Sequence, residues 1–385
     1  MPRSFTIKQL KRLRFLVKPK GAKGFTLLEL LVSMLIAALI TVLLLGLVVE
    51  LTQTNQQDAA RTRVQQDMQA AMDYIAQDLR EAVFVYNGAC LNGITEPTTN
   101  ANPPLPCSGV INANYLPDEV KKVVPVLAFW RTDPLPNKIR DLCADNVNGL
   151  SDKDNRMNQA RVSCVSGNTY SLVLYGVDTS NPNNVWQGKA RLVRYKLSQF
   201  PDQPDDENDQ SVGYVNPVED SKGASLAFQR WPLDKNNRNR QDDGEEAKKT
   251  GQPNTSQNPL QVLVDFVDDK GAIVVDEQGN YVGRSTPKCN GFANDVQGAN
   301  ALSPIASNNP NNPSNIYSFY ACVTGGGVGD NTRTGENQEV QLTLIGNVTG
   351  QGGFFKSDAG DKNKDRLSPL QTRVLVRGVT NKPES

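Results

Sequence analysis

One acid, Glu29, stands at the mouth of the apolar run "KGFTLLELLVSMLIAALITVLLLGLVVE", residues 23 to 50. A carboxylate in hydrocarbon costs about 2.5 to 3.5 kcal/mol on insertion scales, so Glu29 calls for a cationic partner. Thiol chemistry is the second candidate. All six cysteines, Cys90, Cys107, Cys143, Cys164, Cys289 and Cys322, lie beyond the run. An even number on one side of a membrane fits disulfides in an oxidising compartment. Pairing neighbours, 90 with 107, 143 with 164 and 289 with 322, is the simplest of fifteen connectivities, and the sequence does not select among them. No C-x-x-C occurs, which argues against a zinc ribbon or a thioredoxin-type centre.

Other groups carry weaker signals. In "DAGDKNKDRLS" (358–368), Asp361, Asn363 and Asp365 alternate like the opening of an EF-hand calcium loop. Arg366 occupies the glycine position and Thr372 the bidentate glutamate position, which favours a solvated turn over a metal site. The acidic "DQPDDENDQ" (202–210) reads as a solvated loop rather than a cation site. Trp130, Trp186, Trp231 and Tyr214 could form a sugar-binding surface, but buried core aromatics are the default. The chain has no histidine, which removes Ser-His and Cys-His catalysis and every imidazole ligand. No catalytic constellation and no cofactor motif is present, so neither an enzyme nor a cofactor is expected.

These groups need elements to position them. Residues 1–24 hold eight Lys or Arg and no acid, and the remainder carries 33 basic against 41 acidic residues. A basic leader stays cytoplasmic and sends the chain beyond Val49 outward. An acidic body does not favour nucleic acid. Leu30 to Val49 are uncharged, enough at 1.5 Å per residue to cross the roughly 30 Å of a bilayer core. The helical period then continues: Val64, Met68, Ala71, Met72, Ile75, Leu79, Ala82 and Val83 form an apolar stripe, with Arg63, Asp67, Asp73, Asp78 and Arg80 on the other faces. No proline interrupts residues 25–86, and Asn87-Gly88 supplies a stop, so one helix of roughly 60 residues is expected.

Beyond it the period changes. Residues 123–130, 169–177, 190–200, 260–267, 272–276, 315–323, 339–348 and 371–379 are short, β-branched or aromatic, and bounded by Gly, Pro, Asn or Asp. They predict a mostly antiparallel sheet covering the helical stripe, an α+β fold with long polar loops that the disulfides tether. Loops as long as 201–222 and 234–258 are usually functional or disordered.

"KGFTLLEL" resembles the class III leader junction of type IV prepilins and pseudopilins: a basic leader ending in Gly, then Phe, Thr, two aliphatics, Glu and a long apolar helix. The resemblance implies a leader 1–24 cut by a prepilin peptidase between Gly24 and Phe25, and N-methylation of Phe25. It implies a transmembrane helix half 25–49, an amphipathic half 50–88 and a β-rich extracytoplasmic domain 89–385. Glu29 would pair with the Phe25 amino group of an adjacent subunit. The implied partners are other minor and major pilins and an inner-membrane assembly platform, with the protein first single-pass in the inner membrane and later in a filament. Many major pilins carry a proline in the apolar helix; here Gly46 is the only breaker. "QQDMQAAMDYIAQDLREAVF" (65–84) and the pair at 339–348 and 371–379 resemble large W-type minor pilins and J-type pseudopilins. "VVPVLAFWRTDPLP" and "ARLVRYKLSQF" resemble pseudopilins of hormogonium polysaccharide secretion in filamentous cyanobacteria, which implies polysaccharide export and gliding. The competing reading is a single-pass anchored binding protein or adhesin that stays in the bilayer.

Overall fold

An uncharged, proline-free segment in hydrocarbon must satisfy its backbone internally, which a helix does. The computed structural model describes residues 24–92, 107–111, 115–146, 162–181, 184–219, 226–244, 247–270, 273–275, 278, 281–284, 286–287, 289, 301–305, 316–324, 337–352 and 365–379. Helix α1 spans Leu27–Arg80, 54 residues, unbroken through Gly46. Among the described residues it is the one helix long and apolar enough to cross a membrane. The hydroxyls of Ser33 and Thr41 donate to the carbonyls of Leu30 and Ala37 at 2.9 and 2.7 Å, so even the polar side chains of this stretch are satisfied within the helix. The chain divides into two units at Asn55/Gln56, and the first contains this exposed apolar helical segment.

In the second unit the remainder of α1 is a core element. Val64, Met68, Ile75 and Leu79 are fully buried, and each such side chain contributes about 1.5 to 3 kcal/mol. The helix ends at Arg80, earlier than the apolar period suggests. Ala82–Val85 instead form strand β1, because Phe84 and Val85 find antiparallel partners in Trp130 and Phe129. Helix α2 (Gly88–Asn92) and the short α3 (Asp118–Lys121) come after it. Next are β2 (Val124–Pro134), α4 (Asn137–Asn146), β3 (Asn168–Asp178), β4 (Ala190–Leu197) and β5 (Gln261–Val267). Strands β1 to β5 make one antiparallel sheet in sequence order.

Alternation divides that sheet's residues between two cores. Leu127, Phe129, Val173, Tyr175, Val177 and Leu192 pack with α1. Ala128, Trp130, Leu172, Leu174, Tyr195 and Leu197 belong to the second core, which residues of the 201–259 segment complete: Tyr214, Val215, Trp231 and Ala247. Trp231 is fully buried edge-on against Trp130, ring centroids 5.5 Å apart, and donates from Nε1 to the Val215 carbonyl at 3.2 Å. Trp130 Nε1 donates to Tyr86 Oη, which donates to the Phe228 carbonyl at 2.6 Å. The long polar stretches 201–219 and 234–244 are therefore the edges of a packed layer, not free loops.

A second antiparallel sheet contains β8 (Leu302–Ser303), β9 (Phe319–Val323), β10 (Asn337–Leu344) and β11 (Leu370–Val379), in the order β11-β10-β9-β8. Its Phe319, Ala321, Val340, Leu342, Val374 and Val376 close on the same core as α1. Among the described residues, hydrogen bonds join the sheets at two places. Asp268 and Asn347 amides donate to the carbonyls of Ile345 and Phe266, both at 3.0 Å. The Gln338 side chain takes the Val85 amide and donates to the Val85 carbonyl, each at 2.8 Å, as a neighbouring strand would. Strands β6 (Ile273–Val275) and β7 (Tyr281–Arg284) pair antiparallel in a two-stranded sheet of their own. The architecture is thus α+β: a long N-terminal helix whose second half packs on antiparallel sheets.

Disulfides join Cys90 to Cys107, Cys143 to Cys164 and Cys289 to Cys322. They anchor α2, α4 and β9 to segments 17, 21 and 33 residues away in sequence. Constraining loops of that length in the unfolded chain is worth about 3 to 4 kcal/mol each in the chain-entropy picture.

Candidate processing and assembly site

Gly24 and Phe25 precede α1, separated from it by Thr26, and belong to neither helix nor strand. Among the described residues nothing comes within 4 Å of where a Gly24 Cβ would stand, and Phe25 is 77% exposed. Thr26 caps the helix: the Glu29 amide donates to Thr26 Oγ1 at 3.3 Å and to its carbonyl at 3.0 Å. Thr26-x-x-Glu29 is half of a capping box, a signal readable in the sequence that the membrane-depth reading of Glu29 passes over. Glu29 thus sits in the first turn, where the unpaired amides and the helix dipole favour an anion. An acid in this place is favoured by its own helix, and Glu29 is exposed.

The second organised polar site fastens α1 to the first sheet. Asp78, which the helical period places among the polar faces, is buried. Arg131 of β2 donates to its Oδ1, while Tyr175 of β3 and Arg194 of β4 donate to its Oδ2 at 2.6 and 2.9 Å. Arg131 also pairs with Glu81 and Asp133, at 2.7 and 2.6 Å, and Asp133 pairs with Lys196 at 2.7 Å. Burial and then Asp78 push the Tyr175 hydroxyl well above its ordinary range, so it remains a donor. Burial works against the Arg194 charge, but Tyr175 and Asp78 outweigh it and the guanidinium is held above its ordinary value. Burial likewise raises Asp133, and Lys196, Ser171 and Arg131 reverse this, holding its carboxyl below the usual range. Three strands converging on one helical carboxylate fix the rotation and height of the helix on the sheet.

The remaining candidates separate. Asp361 and Asn363 lie outside the described residues. Asp365 Oδ2 accepts from the Thr349 hydroxyl at 3.0 Å, and Arg366 lies 3.7 Å from Asp268. In the acidic 202–210 stretch, Asp209 is paired with Lys249 at 2.6 Å and Glu207 is buried. Among the described residues no group of three or more acids, cysteines or histidines is placed to hold a metal. Trp130, Trp231 and Tyr214 are core residues, and Trp186 lies under the Arg191 guanidinium at 3.8 Å.

A family model described as the prokaryotic N-terminal methylation motif matches residues 19–45. No curated protein and no solved structure matches the chain. The matched residues are the end of the basic segment, Gly24-Phe25, Glu29 and the first third of α1, so what this chain shares with type IV pilin-like proteins in general is the N-terminal methylation motif at the head of a long apolar helix.

Proposed function

We propose that the protein is a structural subunit of a type IV pilus-like filament, of the minor pilin or pseudopilin kind. The observation that carries the reading is the methylation motif running directly into a membrane-length helix. A prepilin peptidase cuts between Gly24 and Phe25 and the new Phe25 amino group is methylated, giving a chain that begins one residue before the helix cap. Glu29 then pairs with the Phe25 amino group of the neighbouring subunit; in low dielectric an unpaired charge is penalised, so the pair selects the docked register. The leader stays cytoplasmic, residues 25–49 cross the inner membrane, and the body lies outside until assembly draws it into a filament through the membrane platform.

A large body with a second packed layer suits a low-copy tip or initiating position, because copies of this bulk would crowd a repeating filament. Within the class, the W-type and J-type resemblances, and use in secretion of polysaccharide or in motility, are the finer forms of the same reading. Intact-mass and N-terminal peptide spectrometry on protein from its native membrane tests it. A chain starting at N-methylated Phe25 is expected; a retained Met1 leader would make it a permanently anchored binding protein instead.

A further inference from the structure

Beside the Asp78 cluster the helix side of the first sheet opens into a cleft of about 350 Å³. Its floor is the side-chain face of three strands, Asp133 of β2, Thr169 and Ser171 of β3 and Lys196 of β4, continued by Ser198 just beyond β4. Asp133 stands opposite Thr169 and Lys196 opposite Val173 in the strand register. One wall is Pro134 to Arg140, including the start of α4, which the Cys143–Cys164 disulfide anchors; the other is Phe200 to Asp202. Asp133, Thr169 and Ser171 are buried, and the Asp133 links to Arg131 and Lys196 hold the floor in place.

The lining decides the ligand class. Its two cations, Arg140 and Lys196, are balanced by two acids, Asp133 and Asp202, so no ionic ligand is favoured by net charge. An extended peptide gains its affinity by pairing with a strand edge, whereas this floor presents side chains. The Thr169 hydroxyl and Arg140 are engaged with Gln199 and Asn137, which leaves carboxylates that accept, the Lys196 ammonium that donates, and the Ser171 and Ser198 hydroxyls that do both, matching hydroxyl groups that must donate and accept at once. Three proline rings add apolar surface, and the volume is at the small end of the ~300 to 1,000 Å³ range of ligand sites. We propose that this cleft binds a neutral sugar unit of one or two residues.

The test uses the full chain in a detergent without sugar head groups, applied to an array of neutral and acidic glycans and unmodified peptides. Wild type should retain neutral glycans. Ser198→Trp, which fills the cleft from a partly exposed position, should lower retention by at least roughly tenfold, and Asp202→Lys should shift preference toward acidic glycans. Thermal unfolding of each variant is followed alongside; should Ser198→Trp unfold early, Asp202→Lys carries the test from the exposed rim. Retention of peptides or acidic glycans in preference, of nothing, or of neutral glycans unchanged in both variants would overturn the proposal. Filament assembly plays no part in the measurement, so its failure leaves the subunit reading standing.

Discussion

Asp78 is the residue on which the helix–sheet contact turns. It is surrounded by Arg131, Arg194 and Tyr175, two cations and a neutral donor, all substantially buried. Removing one partner of a buried ion pair leaves the others uncompensated, at about 3 to 5 kcal/mol. Asp78→Ala should therefore lower the unfolding free energy from urea titration by that much, while Asp73→Ala on the exposed face of the same helix should stay within about 0.5 kcal/mol. Equal effects would mean that helix propensity, not the cluster, governs the site. Asp133 adds a pH dependence. Its folded pKa lies below the unfolded value of about 3.9, so its stabilisation is complete above that value and is lost as pH falls through the folded pKa. The stability gap between wild type and Asp133→Asn should be constant from about pH 7 to 5 and shrink below about pH 4. A gap that widens on acidification would reverse the assignment.

At the scale of elements, the layer built from the 201–259 segment rests on Trp231. Its ring fills the space against Trp130 and its Nε1 holds Val215. Trp231→Ala should cost about 3 to 5 kcal/mol and open the segment to limited proteolysis before α1 and the sheets unfold. Cleavage that begins equally in the sheets would show the layer to be inseparable from the main core. The strands are legible in the sequence because each is a short β-branched or aromatic run between breakers, and β3 and β5 stand within a residue of their expected ends. The end of α1 is not legible, since Ala82 and Val83 continue the helical period and only their partners in β2 turn them into strand. Nor is the second layer: Tyr214, Val215, Trp231 and Ala247 are scattered through polar sequence, and their common core exists only once β2, β3 and β4 are assembled. The role of Asp78 is hidden for the same reason, because its partners lie 53, 97 and 116 residues away.

For the whole molecule, the N-terminal end of α1 has two layers of meaning that a single substitution can separate. Glu29 contributes to its own helix cap region, where an acid near the first-turn amides is worth about 0.3 to 1 kcal/mol. As the partner of a neighbouring Phe25 amino group it would decide whether a subunit docks at all. Glu29→Gln keeps the size and polarity of the first turn and removes the charge; Glu29→Ala removes both. Because Gly24 and Phe25 are untouched and exposed, both variants should be processed normally, with mature chains beginning at methylated Phe25. Both should be recovered mainly from the membrane and scarcely from sheared filaments, to similar degrees. If Glu29→Gln assembles as wild type does, the charge pair is not the docking device and the local capping role is sufficient. Gly24→Glu should fail one step earlier, leaving the leader attached, and so separates loss of processing from loss of docking in the same assay.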